Sequence, residues 1–99
     1  MFEQVLSAMR EAAAAPRVYL TEHARDEMAD DRLSFRDVIH CILTGEIVED
    51  QYDADRGESK YVIFGDGCNE DEMAVVAKLT YNQTAVVITV YRLRITDYD

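Results

Sequence analysis

Two runs near the C-terminus, MAVVAKLTY and TAVVITVYRL, constrain the fold of this chain more than any other feature. Both are rich in β-branched residues and lie either side of Asn82-Gln83, a polar pair suited to a turn. The simplest structure for them is an antiparallel hairpin of residues 74–81 with 84–92. Alternation puts Val75, Ala77 and Leu79 on one face of the first strand, and Ala74, Val76 and Lys78 on the other. In the second strand it sets Val86, Ile88 and Val90 against Val87, Thr89 and Tyr91. Runs this apolar belong at or near the centre of a sheet covered on at least one face.

The rest of the chain supplies helices first and strands second. Phe2, Val5, Leu6, Met9, Ala12 and Ala13 recur at helical spacing, and Pro16 stops that helix. Packing on the domain is its expected use; the alternative is a homodimer through this helix. RVYL is short and extended, an edge-strand candidate. Thr21 is the natural N-cap of a following helix whose inner face is Ala24 and Met28, flanked by Leu20 and Leu33. Ser34-Phe35-Arg36-Asp37 reads as a capping box. The helix it opens is expected to bury Phe35, Val38, Ile39, Ile42 and Leu43, with Gly45 as its C′ residue. EIVEDQY and KYVIF are strands around a DADRGES loop, and Gly65-Asp66-Gly67 ends the second. Helices followed by an antiparallel β-meander of about four strands make an α+β fold. The 99 residues suit one domain. It divides into an extra helix over 1–16, a core over 17–93 and a tail over 94–99.

The net charge of −10 is concentrated in the middle of the chain. Residues 45–72 carry ten acids and two basic residues, a net −8, whereas residues 73–99 carry net +1. Such a surface repels nucleic acid, and it suits either simple solubility or a basic protein partner. Two cysteines make no disulfide framework, and the N-terminal stretch has no basic n-region. A cytoplasmic protein is expected.

His23 is the strongest candidate for chemistry, because an imidazole is the side chain suited to acid/base work and this one opens a helix. Its alternative role is a capping or surface histidine. His40, Cys41 and Cys68 show no metal-ligand spacing, so neither a metal nor a cofactor is expected. The loop Asp53-Ala54-Asp55-Arg56-Gly57-Glu58 has a misplaced glycine for calcium and reads as a solvated turn. Arg92 and Arg94 share one strand face and offer a phosphate site, unless they pair with the surplus carboxylates.

Taken in order, LTEHARDEM, ADDRLSFRDVIHCILTGEIVED, SKYVIFG and AVVITVY resemble a bacterial family of small domains of unknown function, family 4258. That family's signature runs His-Ala-x-x-Arg-Met, then Arg-x-Ile-Ser with a helix, then Gly-x-Ile-Ile-Glu and a Leu-rich strand ending in Gly, and closes on an Ile-Ile-Thr-Val-Tyr strand. His23-Ala24 and Met28 match the first part, Leu33-Ser34 and Val38 the second, residues 45–49 the third and residues 87–91 the last. The resemblance implies an architecture like that of RelE and BrnT toxins, hence a ribonuclease held by an antitoxin, with His23 as acid/base. Two arginines of the signature are replaced here by Glu27 and Asp31. Phosphodiester cleavage needs cations where these acids stand.

The reading favoured is therefore a non-catalytic, RelE/BrnT-like interaction domain. Its expected contact surface for a basic or antitoxin-like protein is Glu46, Glu49, Asp50, Asp53, Asp55, Glu58, Glu70, Asp71 and Glu72. His23 is expected to tie the helix start to the sheet. The alternatives are a ribonuclease using His23 with Arg92, Arg94 or Lys60, and a nucleic-acid-mimicking inhibitor.

Overall fold

A computed structural model of the chain describes residues 1–93. Three helices come first: α1 (Glu3–Ala14), then α2 (Glu22–Asp31) and α3 (Phe35–Thr44) after the short strand β1 (Val18–Leu20). Four strands follow: β2 (Glu46–Asp53), β3 (Glu58–Asp66), β4 (Glu72–Leu79) and β5 (Ala85–Arg92). The sheet order is β1-β5-β4-β3-β2. β2 to β5 form the antiparallel meander, and β1 adds a fifth strand parallel to β5. The fold is α+β, as expected, with the Val/Ile-rich hairpin occupying the sheet interior.

The helices cover one face only. Met9, Ala12, Met28, Val38 and Ile42 meet Ile63, Met73, Val75, Ala77, Val87 and Val90 in one buried cluster. The expected alternation holds on β4. On β5 it breaks, because a bulge between Val76 and Ala77 lets Thr89 and Val87 face consecutive β4 residues and leaves Ile88 over. Val87 and Val90 are both fully buried, while Ile88 is half-buried away from the cluster. The even-spaced face expected from the sequence is wrong here by one residue.

Local signals in the sequence mostly decide the helix ends. Thr21 Oγ1 accepts from Ala24 N at 3.1 Å, and Ser34 and Asp37 form the full capping box. In α3 the inward positions are Val38, Cys41 and Ile42; Phe35 and Leu43 are each 39% exposed, not buried as the pattern suggested. They flank the apolar stripe, and small Cys41 takes the innermost place beside the sheet. Gly45 follows α3 with φ −88° and ψ −174°, extended rather than left-handed. Its need for glycine is steric. A Cβ there would lie 2.5 Å from Phe64 O and 2.6 Å from Cys41 O.

α1 lays Met9, Ala12 and Ala13 into the cluster, and Arg10 Nη2 donates to Gly45 O at 2.8 Å. Its apolar face is thus spent on the body of the protein.

Candidate functional site

Helix α2 lies along β5 and replaces a strand there. Thr21 N donates to Val87 O at 3.1 Å, and its hydroxyl donates to Ile88 O at 3.3 Å. Nearly two turns on, Glu27 Oε1 accepts from Val90 N at 3.0 Å; a turn further, Asp31 Oδ2 accepts from Arg92 N at 3.0 Å. Four helical residues rise about 6 Å, close to the roughly 6.6–6.8 Å between alternate strand residues. Carboxylates at i and i+4 can therefore meet N–H groups at i and i+2 of a strand beside them. Glu27 and Asp31 are acceptors for the backbone of β5.

His23 is 65% exposed, with Nε2 3.3 Å from Glu27 Oε2. It reaches the sheet only through Glu27, so the expected direct tie belongs to Thr21 instead. Arg92 is occupied: Nη1 lies 2.6 Å from Asp71 Oδ2, and Nη2 donates to Asp31 O at 2.6 Å. Asp31 is eight residues past His23, about 12 Å along the helix. Lys60 lies on β3, with β4 between it and β5. It lines an open depression of about 320 Å³ with Gln51, Tyr52, Asp53 and Asp55, an acidic setting. Arg94 falls outside the described residues. His23, Arg92 and Lys60 are thus held apart.

The other titratable groups separate as well. Cys41 is buried, and burial together with the nearby Asp66 charge pushes its thiol up to about 12. His40 lies on the same helix but turns to the β3–β4 connection, where its Nδ1–H donates to Asp66 O at 2.8 Å. Asp37 Oδ1 accepts from Cys68 N at 2.8 Å. Burial acts to raise the Asp37 carboxyl, yet hydrogen bonds from Ser34 and Cys68 together hold it below its ordinary range.

The acids proposed for partner binding fall into two groups. Asp53 accepts from Asp55 N and Arg56 N within the β2–β3 turn, Glu58 pairs with Lys78 at 2.9 Å, and Asp71 holds Arg92. These three have internal work. Glu46, Glu49, Asp50, Asp55, Glu70 and Glu72 are exposed and carry no ion pair among the described residues. Glu46, Glu49 and Asp50 stand on β2, whose outer edge pairs with no strand among the described residues. A bulge at Val48 interrupts that edge.

A model of the family described as a domain of unknown function, DUF4258, matches residues 20–92. The chain belongs to the DUF4258 family. The match begins at the last residue of β1 and ends with β5, so it takes in α2, α3 and the whole meander. Helix α1 lies outside it. The α2–β5 stitching therefore falls wholly within the DUF4258 region. No curated protein and no solved structure matches the chain.

Sequence reasoning found Thr21, Ser34, Asp37 and Gly45 by their local signatures. It missed the roles of Glu27 and Asp31, whose partners lie about sixty residues away. The only signal available was their i, i+4 spacing on the side of α2 next to Met28.

Proposed function

We propose that this DUF4258 chain is a non-catalytic interaction domain that binds a basic protein partner in the cytoplasm. The observation that carries this reading is the distribution of free charge. Unpaired, exposed carboxylates line β2 and the start of β4, whereas Arg92 is locked between Asp31 and Asp71. A phosphodiester substrate needs free cations facing an acid/base group. His23 faces Glu27. Long-range attraction of a basic protein needs only the carboxylate field, which speeds encounter. Both cysteines are free, which suits a reducing compartment, and no helix among the described residues is long and apolar enough to cross a membrane.

The test is RNA digestion with purified wild type and His23→Ala. Neither should cleave, and His23→Ala should shift stability by no more than about 0.5 kcal/mol, since exposed i, i+4 pairs contribute only that much. Cleavage by the wild type that is lost in His23→Ala overturns the reading.

A further inference from the structure

The face of the sheet opposite the helices is apolar and uncovered among the described residues. Alternation on β3 and β4 points Val62, Phe64, Ala74 and Val76 to this side, and the register sets Phe64, Ala74 and Tyr91 in one row across three strands. Val62, Ala74 and Val76 are buried, yet they stand outside the cluster that meets the helices. Phe64 and Tyr91 stand up at 41% and 37% exposure. One end of this face is acidic. Glu46 pairs in register with Phe64, and Asp66 with Glu72, and none of these three carboxylates carries an ion pair among the described residues. At the other end stands Lys60, also unpaired, beside the Lys78–Glu58 pair.

We propose that this open face is a docking surface for a basic amphipathic helix of a partner protein. The helix lies along β3 and β4 with its N-terminus toward Glu46, Asp66 and Glu72 and its C-terminus toward Lys60. Three arguments fix that occupant. A sheet face offers no unpaired backbone groups, so whatever covers it must satisfy its own backbone, as a helix does and an extended segment does not. The carboxylate rim selects cationic flanks and repels a second copy of a chain carrying −10, as well as an anionic lipid surface. The acidic end suits a helix N-terminus, whose macrodipole is positive, whereas at the other end Lys60 and Lys78 stand among Asp53 and Glu58 and leave no strong charge against a C-terminus. The six residue steps from Lys60 to Asp66 span about 20 Å, the length of about 13 helical residues.

This inference rests on the binding reading above, and its test separates the two. The probes are two synthetic helical peptides of about 14 residues, matched to that span. They share one leucine stripe, and their flanks carry lysine in one and glutamate in the other. Each is titrated into isotope-labelled full-length protein and followed by NMR. The lysine peptide should shift the amides of Val62, Phe64, Ala74, Val76 and Tyr91, and the glutamate peptide should not. Phe64→Ser/Tyr91→Ser should weaken binding by about tenfold or more, as loss of aromatic anchors does. A spin label on the peptide's N-terminus should broaden residues near Glu72 rather than near Lys60. No shifts at about millimolar peptide overturn the proposal, since weaker association is not specific docking. Shifts confined to β2's outer edge or to α1 and α3 also overturn it, as does binding indifferent to Phe64→Ser/Tyr91→Ser or self-association through this face. Each of those results leaves the binding reading standing, which only RNA cleavage removes.

Discussion

The two edges of the sheet meet the same physical problem with different means. Any edge strand carries unpaired N–H and C=O groups that invite another strand. On the β5 side, β1 pairs with Ala85 to Val87, and beyond it α2 takes over. Thr21, Glu27 and Asp31 bond the backbone at Val87, Ile88, Val90 and Arg92. Beyond the short β1, the exposed side of β5 is closed by these hydrogen bonds and by the packing of Ala24 and Met28. On the β2 side nothing among the described residues covers the strand. Glu46, Glu49 and Asp50 and a bulge at Val48 are its defence. A carboxylate aimed at an N–H removes the donor, whereas one aimed at solvent only repels other acids. The first is a property of the fold at any salt; the second fades with screening.

The comparison breaks first at Glu27 and Asp31. Glu27→Ala and Asp31→Ala each leave a half-buried N–H without its acceptor, and each should cost about 1–3 kcal/mol in urea melts. Glu27→Gln and Asp31→Asn keep an acceptor oxygen and should lose less. Hydrogen exchange at the Val90 and Arg92 amides should rise in the alanine variants. If protection there is unchanged, the closed-edge account fails.

What the sequence made legible was local. The capping box, the Thr21 cap, the strand-rich second half and the β4 alternation all depend on residues within a turn or a strand of one another. The features it hid depend on distant partners. The β5 bulge leaves no mark in an unbroken AVVITV run, so Ile88 rather than Val87 looked buried. The carboxylates of α2 looked like solvated charge because their N–H partners lie on the last strand. Gly45 looked like a left-handed cap because its real constraint, the β3 carbonyl of Phe64, is nineteen residues on. Similarly, Asp53 and Glu58 looked like plain surface charge, yet one holds the β2–β3 turn and the other pairs with Lys78. Glu46, Glu49 and Asp50 probe the surface alone.

Asp37 uses the α2 device at a second place, since its carboxylate accepts from Ser34 N and Cys68 N at 2.8 Å each. These bonds favour the ionised form and hold the folded carboxyl below its ordinary value, against the opposing effect of burial. Its contribution to stability is therefore present above the unfolded carboxylate value and is lost as pH falls through the lower folded one. Denaturant melts across the acid range should show wild-type stability falling with pH. Asp37→Asn should be less stable near neutrality and show a shallower fall. An unchanged slope would mean that this carboxylate is not among the groups that make the protein acid-sensitive.

The smallest change in stability, and the sharpest probe of the open edge, is expected from Glu49→Gln/Asp50→Asn. Both side chains are exposed and unpaired, so the fold should move by no more than about 0.5 kcal/mol. Their work lies between molecules. Two copies pairing edge to edge bring like charges within about 5–6 Å, inside the screening length of about 8 Å at physiological salt. Neutralising them removes that repulsion while leaving β2's unpaired backbone in place. Sedimentation velocity over a concentration series should show stronger self-association in the double variant than in wild type at low salt. The gap should narrow as added salt screens the wild-type acids. If the variant associates no more than wild type, the Val48 bulge alone is enough to spoil pairing, and the β2 edge is guarded by shape rather than by charge. The acids there would then have no task in keeping copies apart, and attraction of a basic partner would be their remaining use.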